Sequence, residues 1–171
     1  MDYALELFFD SESEARVRSY WQAVDSSLPR LQSTPHVTIG CFSDSPLEQA
    51  NEALRCAAED IAPFPLCFAA LGMFTTPEHV LYLAPIVTQE LLNLHTRLHE
   101  AFAFCDSANF WYYHPGNWVP HCTISAAQNA EELARAAQVL AREHRPFTAQ
   151  VTRLAWVEIT KPIKIAGCFE L

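Results

Sequence analysis

Glycine is scarce in this chain, with four in 171 residues. That shortage excludes a glycine-rich phosphate cradle, and with it triphosphate binding through a P-loop, because such loops need several residues without a Cβ where the backbone closes on the phosphates. Positive charge is also in short supply. Eleven lysines and arginines stand against 20 acids, a formal net charge of −9. A protein that grips long stretches of nucleic-acid backbone needs the opposite balance, so no extended nucleic-acid binding is expected. A pocket for a single phosphate is compatible with that charge. The chain has no apolar run of membrane-spanning length and no cationic, apolar segment at its N-terminus, so a soluble, cytoplasmic protein with no membrane partner is expected. Six cysteines are present, Cys41, Cys56, Cys67, Cys105, Cys122 and Cys168, but none forms a C-x-x-C pair. Most lie among apolar neighbours and read as buried, reduced thiols rather than a disulfide framework.

What the chain does contain is a repeat. Pro35-His36-Val37-Thr38-Ile39 is matched, 85 residues on, by Pro120-His121-Cys122-Thr123-Ile124. Chance recurrence of all four shared residues at these frequencies is roughly one in a million. Each copy is a short β-branched run and reads as a strand. On a strand residues i and i+2 share a face, so His36 projects with Thr38 and His121 with Thr123.

Half the residues are hydrophobic, enough for a real core, and the length fits one domain, 1–171, as a compact unit with two lobes. The patterning predicts strands over 3–9, 35–42, 64–74, 79–83, 119–125, 147–160 and 163–171. Helices are predicted over 11–27, 46–62, 87–102 and 130–143, the first capped by Ser11 or Ser13 and closed at Leu28-Pro29. Each motif strand leads through a short loop into a helix, which suggests two related lobes. Hairpin-like strand pairs predict antiparallel sheets rather than a doubly wound parallel one.

Displacement at a phosphodiester needs a base for the attacking oxygen, an acid for the leaving oxygen and donors for the charged non-bridging oxygens. Two histidines, with an ordinary pKa of about 6.5, supply the first two near neutral pH. In-line attack puts them on opposite sides of the phosphorus, and two threonine hydroxyls supply the donors. The paired His-x-Thr-hydrophobic motifs resemble the 2H phosphoesterase superfamily, specifically its bacterial 2′-5′ RNA ligase-like branch, over nearly the whole chain. The resemblance implies an α+β, bilobal fold with pseudo-twofold symmetry, two antiparallel-rich sheets facing a central cleft and helices outside. It implies a cleft that works without metal or cofactor on 2′,3′-cyclic phosphate or 2′-5′ linked nucleotides, with His36 and His121 as the acid–base pair and Thr38 and Thr123 as phosphate donors. Ring opening would leave a 2′-phosphate, and either histidine is free to be the base. Some members carry an arginine after the second motif. Here Ser125-Ala126-Ala127-Gln128 follows, which favours a small nucleotide or an RNA terminus as substrate. The competing function is a non-catalytic binder of phosphorylated nucleotide or RNA ends; a metallohydrolase built on the seven histidines is a third class. A monomer is expected.

Further candidates surround the motifs. Phe42 lies an even number of residues from His36 and Thr38 and is expected on their face, lining the cleft. The run Phe110-Trp111-Tyr112-Tyr113-His114-Pro115-Gly116-Asn117-Trp118 either stacks a nucleobase or packs between the lobes, and Tyr113 is its candidate substrate-binding residue. Trp118, three before His121, is expected to face away from it. His95 and His99 have an i,i+4 spacing that can bind metal, but no third ligand is evident and a solvated helix face is expected. Lys161 and Lys164 are expected to be solvated.

Overall fold

The structure, a computed structural model, describes residues 1–24, 33–127 and 129–171. The predicted helix closure at Leu28-Pro29, and Gln128 after the second motif, lie outside the described residues.

Strand β1 (Asp2–Phe9) sends Tyr3, Leu5, Leu7 and Phe9 into the main core, leaving Ala4, Glu6 and Phe8 on its other face. Helix α1 (Ser11–Ala23) follows at once, and Asp10 caps it rather than either serine, accepting the Ser13 N–H at 2.8 Å. A carboxylate there also meets the positive end of the helix dipole. Next come β2 (His36–Ser43), α2 (Leu47–Glu59), β3 (Phe64–Phe74) and β4 (Val80–Pro85). His79 takes a left-handed φ of 45° to close the β3–β4 turn, so β4 starts one residue later than predicted. Helix α3 (Gln89–Ala101) is capped by Thr88. A short 3-10 helix (Ala108–Tyr113) holds part of the aromatic run. Strand β5 (Cys122–Ala126) begins three residues after the predicted start; Pro120 has no N–H to give a ladder. Helix α4 (Ala130–Glu143) is capped by Asn129, and β6 (Phe147–Glu158) and β7 (Lys164–Glu170) end the chain.

All pairings are antiparallel, in the order β2-β1-β6-β3-β4-β5 with β7 also on β6. The expected pair of sheets is one continuous seven-stranded sheet. Strand β6 has 12 residues, enough to serve both halves: Phe147 to Val151 pair with β3, while the rest lies between β1 and β7. The order β-α-β-α-β occurs twice, as β1-α1-β2-α2-β3 and β4-α3-β5-α4-β6, the pseudo-twofold arrangement. The first helix of each unit crosses over. Helix α1 packs with α4 against β5 and β6, whereas α3 packs with α2 and reaches β2.

The core is largely one cluster, centred on Phe42, Phe102 and Trp156, whose rings lie 5.0–5.9 Å apart. Cys41, Cys105 and Cys122 are buried thiols, but Cys56 and Cys168 are exposed, so buried thiols account for only part of the cysteine set. Among the described residues no helix is long and apolar enough to cross a membrane.

Candidate active site

The two motif strands occupy the ends of the strand order and contact each other. Both ladders slip by one residue inside the motif. Leu5 pairs with Gly40 but Glu6 with Thr38, so Ile39 is the extra residue. Leu81 pairs with Ser125 but Tyr82 with Thr123, so Ile124 is the extra residue. A bulge of this kind reverses which face later side chains take. His36 and Thr38, opposite Phe8 and Glu6, share the face away from the core, while Val37 and Ile39 enter the core. Beyond the bulge the alternation inverts, and Phe42 turns inward at 1 % exposure against Trp156 and Phe102. The expectation that Phe42 lines the cleft with His36 and Thr38 is therefore corrected: uninterrupted strand parity does not hold across a bulge.

The two imidazoles are held alike. His36 Nδ1 lies 2.6 Å from the Thr34 carbonyl, and His121 Nδ1 lies 2.7 Å from the Val119 carbonyl. A carbonyl only accepts, so both Nδ1 atoms donate and each Nε2 is the atom left to take or give a proton. The rings differ in their neighbours. His36 Nε2 is 3.5 Å from Glu6 Oε1. His121 is wedged between Phe74, edge-on at 4.9 Å between ring centres, and Tyr82 at 5.3 Å. Burial lowers the His121 pKa, its bond to Val119 opposes that, and the charge of His36 lowers it further.

Thr38 is buried at 7 % exposure and Thr123 is half-buried. Burial, and then the neighbouring Cys41, drives the Tyr113 pKa far up, so it stays a neutral phenol. Each motif threonine is also clasped from behind by an indole. Trp118 Nε1 donates to the Thr38 carbonyl and Trp21 Nε1 to the Thr123 carbonyl, both at 2.9 Å. Trp118 is not on a strand, so the strand-parity expectation for it does not apply; it stacks on His95 with ring centres 4.0 Å apart. Sequence reasoning missed Glu6, Trp21 and Tyr82. The available signal for Glu6 was a carboxylate between two leucines in an alternating strand, on the face opposite Tyr3, Leu5 and Leu7.

His95 overturns the expectation of a solvated helix face. It is 2 % exposed, and its Nε2 donates to the Tyr113 carbonyl at 2.9 Å and the Ile39 carbonyl at 3.1 Å. His99 packs against Phe42. Among the described residues no group of three or more His, Cys, Asp or Glu is placed to hold a metal ion. Burial, then the charge of His99, lowers the His95 pKa to about 4. The unfolded chain, at about 6.5, binds that proton more readily. The stability His95 contributes is thus complete above about pH 6.5 and lost as pH falls towards about 4, on the order of 3 kcal/mol. Urea midpoints across that interval should fall, and His95→Gln should flatten the slope; an unchanged slope would assign the loss to other groups.

Beside His121 opens a cavity of about 590 Å³, walled by Phe74, Tyr112, Tyr113 and Trp118 with Glu78 and Asn117 at its polar side, and with no lysine or arginine among the described residues of its lining. Trp111 and Tyr112, at 61 % and 47 % exposure, remain open to solvent. Lys161 and Lys164 are exposed, as expected.

The model of the 2′-5′ RNA ligase superfamily matches residues 9–162. Among solved structures, TT0787 of Thermus thermophilus is similar with a TM-score of 0.66 and 18% identity, over 100% of this chain and 98% of that one. E. coli LigT in its apo form gives 0.62 at 14% identity, over 99% and 96%. Its complex with 3′-AMP gives 0.61 at 14%, over 99% and 97%. No curated protein sequence matches the chain. At these identities the likeness is one of fold.

Proposed function

The chain belongs to the 2′-5′ RNA ligase superfamily, and on that premise we propose that it is a metal-independent phosphodiesterase that opens 2′,3′-cyclic phosphates on small nucleotides or RNA ends to leave a 2′-phosphate. The observation that carries this reading is the matched tautomer of His36 and His121, each with Nδ1 tied to the carbonyl two residues earlier. One Nε2 takes the proton of the attacking water and the other delivers a proton to the leaving ribose oxygen, with the phosphorus between them. The Thr38 and Thr123 hydroxyls donate to the non-bridging oxygens as charge builds there. Their carbonyls are held by Trp118 and Trp21, so the donors do not need to reorganise during reaction.

E. coli LigT has been crystallised with 3′-AMP, which supports a small nucleotide as the substrate class. The cavity beside His121, with no lysine or arginine among the described residues of its lining, favours a ligand with one phosphate over an extended strand. Turnover of the four nucleoside 2′,3′-cyclic monophosphates and of a short RNA with a cyclic end, with EDTA present, tests the reading. EDTA-resistant formation of 2′-phosphate is the expected result. Thr38→Ala and Thr123→Ala should each lower kcat by about 10²-fold, as loss of an oxyanion donor does. Binding of these nucleotides without turnover would instead make the chain a binder of phosphorylated ends.

A further inference from the structure

Glu78 is the one acidic side chain in the described lining of the cavity beside His121, whose walls are otherwise aromatic, aliphatic or uncharged polar groups together with His121 itself. We propose that Glu78 is a specificity-determining residue that selects guanine as the base of the substrate, an inference that rests on reading the cleft as that of a nucleotide phosphodiesterase.

The turn between β3 and β4 sets where Glu78 stands. His79, at a φ of 45°, donates its N–H to the Thr76 carbonyl at 3.0 Å, and its own carbonyl accepts the Ala127 N–H at 3.2 Å. Val80 then pairs with Ala126. The turn is therefore closed on itself and fastened to the end of β5, the strand that carries Thr123. Thr76, and then the backbone of Glu78, hold its carboxyl below the usual range, so it is an anion at neutral pH. A glutamate exposed in a turn is ordinarily a solvated surface group. This one has a pinned backbone and borders the same cavity as His121. At about 590 Å³ that cavity lies within the roughly 300–1,000 Å³ typical of small-molecule sites.

A carboxylate only accepts hydrogen bonds, and its two oxygens suit a pair of adjacent donors. Guanine is the base with such a pair, N1–H beside N2–H on its Watson–Crick edge. Adenine and cytosine set their amino group next to a ring nitrogen that accepts, so one carboxylate oxygen would face a lone pair. Uracil has a single N–H flanked by two carbonyls, which repel the anion on both sides. The remaining guanine acceptor, O6, needs a neutral donor. Asn117 has one amide hydrogen on the Trp111 carbonyl at 3.3 Å, and its second can meet O6. The flat walls, Phe74, Tyr112 and Trp118, supply the stacking surface that every base needs and that does not discriminate among them. A base lying there takes its edge and the carboxylate out of bulk water, where their pairing is strongest.

The test compares the 2′,3′-cyclic phosphates of guanosine, inosine, adenosine, cytidine and uridine. Inosine differs from guanosine only in lacking the 2-amino group, so this pair isolates the second hydrogen bond. Guanosine should lead inosine by about 10-fold in kcat/KM and uridine by up to about 10²-fold. The difference should lie in KM, because the base edge is remote from the phosphorus and binds ground state and transition state alike. Glu78→Gln turns one acceptor into a donor that faces a donor; it should raise KM for guanosine to about that of inosine. Glu78→Asp keeps the charge and should retain part of the preference. Equal KM for guanosine and inosine in the wild type would overturn the inference. So would a Glu78→Gln variant that lowers kcat on all five substrates alike, which would make the residue structural. If none of the five turns over, the phosphodiesterase reading fails, and calorimetric binding of guanosine and inosine 2′-phosphates decides the base by itself. An advantage of about 10-fold in Kd for guanosine would uphold guanine selection by a non-catalytic cleft; equal affinities or no binding would overturn it.

Discussion

His121→Ala is expected to abolish turnover of a 2′,3′-cyclic phosphate, with a loss of at least about 10²–10⁴-fold, the range for removing one general acid or base. His36→Ala should fall equally far on that substrate. The two act on one phosphorus in one displacement, so their effects should not add: the double variant should be about as slow as either single one. The fold should survive both changes. Each side chain is only partly buried and its single backbone bond is to a carbonyl in a loop beside its own strand. Circular dichroism and a urea midpoint within about 1 kcal/mol of wild type would show that chemistry, not folding, was lost. Full activity in either single variant would sink the two-histidine mechanism.

Trp118→Ala should have the largest effect on stability. The side chain is 8 % exposed, stacks on His95 and donates its indole proton to the Thr38 carbonyl. Deleting it removes a large buried surface, costing about 3–5 kcal/mol. It also orphans a carbonyl on an edge strand, about 1–3 kcal/mol if no water replaces the donor. Trp118→Phe separates the two, since it keeps most of the stacking surface and removes the donor. Urea unfolding should rank wild type above Phe above Ala, and the Phe variant should already lose kcat because Thr38 is no longer clasped. A Phe variant with wild-type kcat would show that the clasp serves stability alone.

The parts of this site legible in the sequence were those set by local spacing. His-x-Thr on a strand puts two side chains on one face regardless of the rest of the chain, and β3 and α4 follow their predicted bounds because both are long apolar-rich segments. Phe42 was misplaced by a single extra residue, Ile39, whose displacement depends on the register of β1 and not on the β2 sequence. His95 was misplaced for a related reason. Its helix spacing says nothing of the carbonyls of Ile39 and Tyr113, which come from far along the chain. Glu6 and Trp21 carry no motif, and their relation to the histidine and threonine exists only once β1 pairs with β2 and α1 crosses to β5.

That crossing has a mechanical consequence. The indole that steadies Thr123 stands on the helix between β1 and β2, and the one that steadies Thr38 stands just ahead of the second motif. With β6 running through both halves as a common spine, a hinge between them would have to break both indole bonds and bend that strand. The gap between the two imidazoles therefore behaves as a caliper locked at one setting. On the proposed reading a caliper of that kind selects by measuring, and selectivity among substrates falls to what lies outside its jaws, the aromatic cavity beside His121.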